Sequence, residues 1–360
     1  MALSLRAWPS KQPYYRSLFY VALFLSVVFV LFRLYLSADE DLLAHGTIQD
    51  SPEIHELCAA HGFTAYPATA SGARRKIYDL TMINTELDWL EIRLDALYEE
   101  VDLFIVVESP KTFHGHSKPM VAKDNWERFA KYHDKMLYHE LEFPSSFHPH
   151  RTWDFEFLQR DASYEQVFPK LTGPRAPRLG DVLVVADVDE IPRPDTLRTL
   201  RACSFPRRLT LYSRFYYYSF QFLSIGPEWH HPQATFYDGQ RTLTPNNLRS
   251  GGGGNFISRW RESGRYANSS WHCSSCFDSM ELFLNKMASF SHKWMNGAEY
   301  RDPDRIANAV REGLDIWGRR SSTFERIDNN QDLPSLVRDD PRYSYLKDRS
   351  GKSAGMKDYP

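Results

Sequence analysis

The sequence predicts an α/β fold, a mixed sheet flanked by helices, standing behind an N-terminal transmembrane helix. Three observations predict it. Residues 103–107 and 182–186 are continuous apolar runs that end on acids, an amphipathic helical pattern lies between strand-like runs, and residues 18–36 are apolar over the length of a bilayer span.

Leu18 to Leu36 reads LFYVALFLSVVFVLFRLYL, with one charge, Arg33, near enough the end to snorkel to the headgroups. Arg6, Lys11 and Arg16 precede the run and Asp39, Glu40 and Asp41 follow it. The positive-inside bias therefore leaves residues 1–17 as a cytoplasmic tail and puts everything after about residue 37 in a lumen. A cleaved signal peptide is the alternative, since Ser37-Ala38 supplies small residues. The long stretch before the run, and Leu36 at the minus-three position, favour an anchor. Residues 37–74, with Gly46, Pro52, Gly62, Pro67 and Gly72 and no sustained period, read as a stem. In a lumen the four cysteines, Cys58, Cys203, Cys273 and Cys276, can form two disulfides, with the connectivity open. Asn268-Ser269-Ser270 is a glycosylation sequon.

A chain of 360 residues with 42% hydrophobic content can bury a sizeable core. The net charge of -2 is spread without a basic stretch, which excludes nucleic acid as a partner. The folded domain is expected over residues 75–346, with 347–360 as a C-terminal tail. Ile77–Ile83 reads as a strand, and Asn84-Thr85-Glu86 opens a helix with Leu87, Leu90, Leu94 and Leu97 on one face. Residues 103–107, closing on Glu108, have the unbroken apolar character of a strand buried on both faces. Helices near 124–132 and 153–168 flank an apolar stretch at 137–143, and Asp181–Ala186 is the next buried strand. The aromatic-rich segment 209–222 reads as antiparallel strands, and helices follow near 279–289 and 303–317.

Ligands of open α/β sheets collect at the carboxyl ends of strands. Asp187-Val188-Asp189-Glu190-Ile191-Pro192 stands at such an end. Asp187 and Asp189, two residues apart, give a hard divalent cation its oxygen ligands at roughly 2.0–2.6 Å. Water and the oxygens of a diphosphate would complete the shell, so that the ion offsets charge on a departing diphosphate. A solvated acidic turn is the bland alternative. The buried strand before the triplet, and the repulsion of three clustered acids, argue against it.

Trp271-His272-Cys273-Ser274-Ser275-Cys276-Phe277 is a second constellation. Its C-x-x-C reads first as a structural bridge, with zinc and redox roles behind it, because no second pair and no thioredoxin-like setting accompany it. His272 faces either the metal or a packed aromatic wall. Gly251–Gly254 lacks the features of a phosphate loop and reads as a flexible surface loop.

Together, Lys76-Ile77-Tyr78-Asp79, Asn84 to Asp88, Phe104 to Ser109, Thr112-Phe113, Asp187 to Pro192 and Trp271 to Phe277 resemble glycosyltransferase family 17 over about residues 75–346. The resemblance implies a GT-A-like domain, a UDP-GlcNAc donor, dependence on Mn²⁺ or Mg²⁺, inversion at the sugar carbon, a Golgi membrane address and a glycan acceptor such as a mannose of an N-glycan. Asp189 would be the principal metal ligand, with Asp187 sharing the metal or binding ribose. Glu108 is a candidate for uridine or ribose contact, or else caps the next loop. Arg160 is a candidate for the diphosphate, or else pairs with Asp161 at the surface. Inversion needs one carboxylate to take the acceptor's proton, and Glu190 and Asp278 are the candidates. His292 is a candidate for a late diphosphate contact. The segment from Trp229 through the glycine run follows the family pattern poorly, which points to a differing acceptor. A lumenal metal-dependent hydrolase and a non-catalytic membrane-tethered binding protein are the rival readings; a requirement for nucleotide sugar discriminates among them.

Overall fold

The computed structural model describes residues 20–21, 23–28, 51–67, 74–289, 293–319 and 322–360. The chain divides into two units, residues 1–51 with 66–74, and residues 52–65 with 75–360. In the first, residues 20–21 and 23–28 are helical and exposed. Most of the predicted span 18–36 and of the stem lies outside the described residues, as does His292. Among the described residues no helix is long and apolar enough to cross a membrane.

The second unit opens with α1 (Pro52–Ala60) and β1 (Thr64–Ala65), then β2 (Ile77–Ile83), α2 (Leu87–Leu97), β3 (Leu103–Glu108), α3 (Val121–Asp124), β4 (Met136–Glu140), α4 (Thr152–Glu165), β5 (Val182–Asp187) and β6 (Glu190–Pro192). There follow α5 (Pro194–Ala202), β7 (Cys203–Ser204), β8 (Arg208–Tyr217), β9 (Ser219–Ser224), β10 (Gln233–Phe236), α6 (Pro245–Ser250), α7 (Phe256–Glu262) and β11 (Ser263–Ser274). The unit ends with α8 (Met280–Ser289), α9 (Pro303–Glu312), β12 (Phe324–Arg326) and α10 (Ser335–Asp339).

One mixed sheet runs in the order β12-β9-β8-β10-β5-β2-β3-β4, with β11 pairing β8 and β6. Strands β4, β3, β2 and β5 are mutually parallel, whereas β10 joins β5 and β8 antiparallel. In the parallel half, side chains alternate between two cores as a pleated strand requires. Ile77, Phe104, Val106 and Val184 pack with Trp89, Leu90, Leu94 and Leu97 of α2. Tyr78, Ile105, Val107 and Val185 pack with Ala162 of α4 and with Phe168. Each such fully buried aliphatic stabilises the fold by about 1.5–3 kcal/mol, which is why the unbroken apolar runs mark the interior strands. Beyond β8 a third cluster gathers Tyr217, Tyr218, Phe222, Phe277 and Phe283 with Ile306 and Val310 of α9.

The predicted helix at 124–132 is instead the single turn of α3 followed by a 3-10 segment, Trp126–Lys135. At the junction Val121 O accepts both the Asn125 N–H (3.2 Å) and the Asn125 side-chain amide (2.9 Å). The folded unit also takes in residues that the sequence reading left outside it. α1 buries Cys58, which is disulfide-bonded to Cys203, and β1 pairs with β7. At the other end Ala354 and Met356 are buried, and the fully buried Arg349 donates to Tyr218 O (2.7 Å), Phe277 O (2.7 Å) and Ala354 O (3.0 Å). The segment expected as a C-terminal tail is therefore part of the third core.

Candidate active site

β5 leaves the sheet at Asp187, turns through Val188-Asp189, and returns as β6. β6 pairs antiparallel with β11, so that Glu190 stands opposite His272 and Ile191 opposite Trp271. Val188 is buried among the apolar residues beneath, and Cys273 N–H donates to Asp189 O at 3.4 Å. From α2 the fully buried Arg93 donates to Asp187 O (3.3 Å) and Glu190 O (2.7 Å) while its other nitrogens hold Asp79 at 2.7 and 2.5 Å. The backbone of the acidic turn is thus fixed from two sides.

The three carboxylates then differ. Asp187 accepts from Arg160 Nη2 through Oδ1 (3.0 Å) and from Arg249 Nη2 through Oδ2 (2.6 Å). Glu190, 1% exposed, accepts from Arg249 Nη1 (2.7 Å) and Nη2 (2.9 Å), from Trp229 Nε1 (2.8 Å), and from Asp187 N (3.0 Å). Burial opposes ionisation of both, but Arg249 outweighs it and holds each carboxyl below the ordinary range. Asp189 has no arginine in ion-pair range among the described residues; His272 Nδ1 lies 3.8 Å from its Oδ1. Burial raises its carboxyl, and His272 and Lys286 offset only part of that. His231, also beside Arg249, is pushed down by burial and by that guanidinium, so its ring favours the neutral form.

His272 belongs to a packed aromatic wall, one of the two readings the sequence left open. Its Nδ1 lies 3.3 Å from Asp189 O, and its ring packs in a triangle with Phe215 (centroids 5.0 Å) and Trp229 (5.1 Å), which are 5.5 Å from each other. Arg160 reaches Asp187 and Glu156 (2.9 Å), while Asp161 instead accepts Asn246 N–H at 2.7 Å. The expected surface pair of Arg160 with Asp161 does not form. Glu108, fully buried, accepts from Ala122 N (3.2 Å), Lys123 N (3.3 Å), Tyr138 OH (3.0 Å) and Lys118 Nζ (3.3 Å). It caps α3, and these donors occupy the oxygens that uridine or ribose would need. Asp278 lies apart from the acidic turn, in a cavity of about 190 Å³ with Glu86, Asp88 and Trp89, and accepts Lys357 Nζ at 2.9 Å. The C-x-x-C is a disulfide, Cys273–Cys276.

Arg249, Arg93 and Trp229 were not legible as site residues in the sequence. Arg249 precedes the glycine run, which is no free loop. Gly251 ends α6 with φ of +67°, Gly253 and Gly254 have φ of +71° and +73°, and Arg208 holds Gly252 O (2.7 Å) and Gly253 O (2.8 Å). An arginine two residues before four glycines was the one available signal.

Among the described residues no group of three or more His, Cys, Asp or Glu side chains gathers round a point fit for a metal. Both Asp187 oxygens lie on arginines, with a third of the side chain exposed. The site fits a hard cation held by Asp189, with its other ligands drawn from substrate and water, and does not fit a protein-caged ion.

Residues 27–329 match the model of glycosyltransferase family 17. The human β-1,4-mannosyl-glycoprotein 4-β-N-acetylglucosaminyltransferase (Homo sapiens) is 25% identical over 300 residues, 76% of this chain and 55% of its own length. The enzyme of the same name from Rattus norvegicus is 25% identical over 262 residues, 66% of this chain and 48% of its own length. The chain spans about half the length of the curated relatives it matches. A solved mannosyltransferase from Pyrobaculum calidifontis, in complex with GDP-Man and Mn²⁺, is 16% identical with a TM-score of 0.27 over 45% of this chain and 41% of its own, too slight a likeness to carry an argument. The match across most of the sequence, with the acidic turn and the Trp271 to Phe277 segment inside it, places this chain in glycosyltransferase family 17.

Proposed function

We propose that the chain is a metal-dependent inverting glycosyltransferase on a GT-A-like domain, moving GlcNAc from UDP-GlcNAc to a glycan acceptor such as a mannose of an N-glycan. In this reading it is a type II Golgi membrane protein, anchored through residues 18–36. The observation that carries the reading is the division of labour in the acidic turn. Asp187 and Glu190 hold two arginines, and Asp189 alone keeps a carboxylate uncommitted to arginine.

Asp189 would hold Mn²⁺ or Mg²⁺. The bound ion would supply Lewis-acid stabilisation of charge on the departing diphosphate. Arg249 and Arg160, fixed by their carboxylates, present planar donors beside that position, suited to phosphate oxygens. In a single displacement the acceptor oxygen bonds to the sugar's anomeric carbon, the bond to the diphosphate breaks with its electron pair, and a carboxylate takes the acceptor's proton. Glu190 and Asp278 are the candidate acceptors. Glu190 is held ionised but enclosed by Arg249 and Trp229, whereas Asp278 borders an open cavity. Comparison of the pH profiles of Glu190→Gln and Asp278→Asn separates them.

The test is incubation of the full chain with UDP-GlcNAc, Mn²⁺ and an N-glycan acceptor. Transfer that disappears in Asp189→Ala supports the reading. Glycan turnover that needs no nucleotide sugar, or failure of UDP to raise the melting temperature in Mn²⁺, overturns it.

A further inference from the structure

Trp229 belongs to neither core of the parallel half, yet it is held as rigidly as a core residue. Its backbone exchanges two hydrogen bonds with Ser213 of β8, each 2.9 Å, and its indole N–H is on Glu190. Its ring stacks on His272 and lies 5.5 Å from Phe215, while 36% of its surface stays open. A large aromatic fixed in place and left open is pre-organised to receive a flat apolar face, because no side-chain entropy remains to be lost on binding.

Phe215, in contact with both His272 and Trp229, lines a cavity of about 290 Å³ with Arg214, Gly226, Pro227, Glu228 and Asn268. That is near the small end of ligand pockets, roughly 300–1,000 Å³, and suits one sugar ring. Its lining combines an aromatic wall with an acid and a guanidinium, the pairing that a pyranose requires: C–H groups on its face and hydroxyls round its edge. The cavity is built only from β8, β9, the turn after β9, and β11, none of them among the parallel strands β4, β3, β2 and β5. The acidic turn belongs to the carboxyl end of the parallel half, where nucleotides collect. His272 joins the two places, its ring stacked on Phe215 and its Nδ1 3.8 Å from Asp189 Oδ1.

We propose that the cavity beside Phe215, with the open ring of Trp229, is a sugar-binding subsite for the acceptor glycan, separate from the donor site at Asp189. The proposal rests on the function proposed above, and its test distinguishes the two. The full chain in Mn²⁺ is titrated separately with UDP, by calorimetry, and with a free biantennary N-glycan, by saturation-transfer NMR. The wild-type chain is expected to bind both. Glu228→Ala weakens glycan binding at least tenfold with UDP affinity kept within twofold, Trp229→Ala weakens glycan binding at least tenfold, and Trp229→Phe, which retains a ring, keeps most of the glycan affinity. Glu228→Ala guards against a fold defect in Trp229→Ala, since Glu228 lies outside the acidic turn. UDP binding with glycan affinity unchanged in both alanine variants, or with no glycan binding in the wild type, overturns the subsite alone. Loss of both ligands from the wild type overturns the transferase reading and the subsite with it.

Discussion

Replacing Arg249 by Met removes the cation shared by two carboxylates of the acidic turn. Glu190, at 1% exposure, then keeps Trp229 Nε1 and the Asp187 amide but has no counter-charge at 2.7–2.9 Å. Breaking a buried pair from one side costs ~3–5 kcal/mol. Asp187 adds little to this, because a third of its side chain is open and Arg160 remains at 3.0 Å. For a folded unit of this size the loss corresponds to a fall of roughly 6–10 °C in melting temperature. Thermal and urea unfolding of Arg249→Met, Glu190→Gln and the double variant form a cycle. Its coupling is expected to be at least ~1.5 kcal/mol, because Glu190→Gln removes the charge that Arg249 compensates. A loss below about 1 kcal/mol in Arg249→Met, or strictly additive effects, would refute the claim that Arg249 is a structural counter-ion of the turn.

Three further outcomes follow from the same coordinates. Cys58–Cys203 spans 145 residues and Cys273–Cys276 only three, so loop entropy assigns them ~5 and ~2 kcal/mol, and the Ser pair at 58 and 203 should unfold in markedly less urea than the pair at 273 and 276; equal midpoints would contradict this. Burial pushes Asp161 up from 3.8 to about 6, against the hydrogen bond from Asn246, so the folded state binds this proton more tightly than the unfolded chain does. The stability it lends is complete below pH 3.8 and is lost as pH rises through about 6. Asp161→Asn should therefore exceed wild type by up to ~3 kcal/mol at pH 7 and match it near pH 4, and a constant difference across that range would count against the assignment. Arg349→Met leaves the carbonyls of Tyr218, Phe277 and Ala354 without their buried donor and should cost ~3 kcal/mol or more in chemical denaturation, with residues 347–360 becoming protease-sensitive; an unchanged midpoint would show that the C-terminal segment adds nothing to the third core.

Much of the parallel half was legible because its information is local. Strands β2, β3 and β5 announce themselves as apolar runs, and α2 as leucines at helical spacing, since each must bury the faces it shows. The acidic turn was placed correctly for the same reason: it follows directly from a buried strand. The segment 124–132 turns 3-10 after Asn125, whose side-chain amide shares Val121 O with its own N–H, a local contact that periodicity does not record. The glycine run failed because its partner, Arg208, lies more than 40 residues away.

By itself the sequence determined the α/β layering, the presence of a carboxylate cluster at a strand end, and the spaced pattern that resembles family 17. Only the tertiary structure decided what each carboxylate does. Arg249 stands 62 residues from Asp187 and 59 from Glu190, Arg160 comes from another helix, and the register of β11 on β6 alone brings His272 to the turn. Backbone periodicity is written residue by residue, whereas the charge state of a buried group depends on which distant guanidinium the packing delivers. That is why Asp187, Asp189 and Glu190, near-equivalent as letters, become two anchors for arginine and one carboxylate without an arginine partner among the described residues.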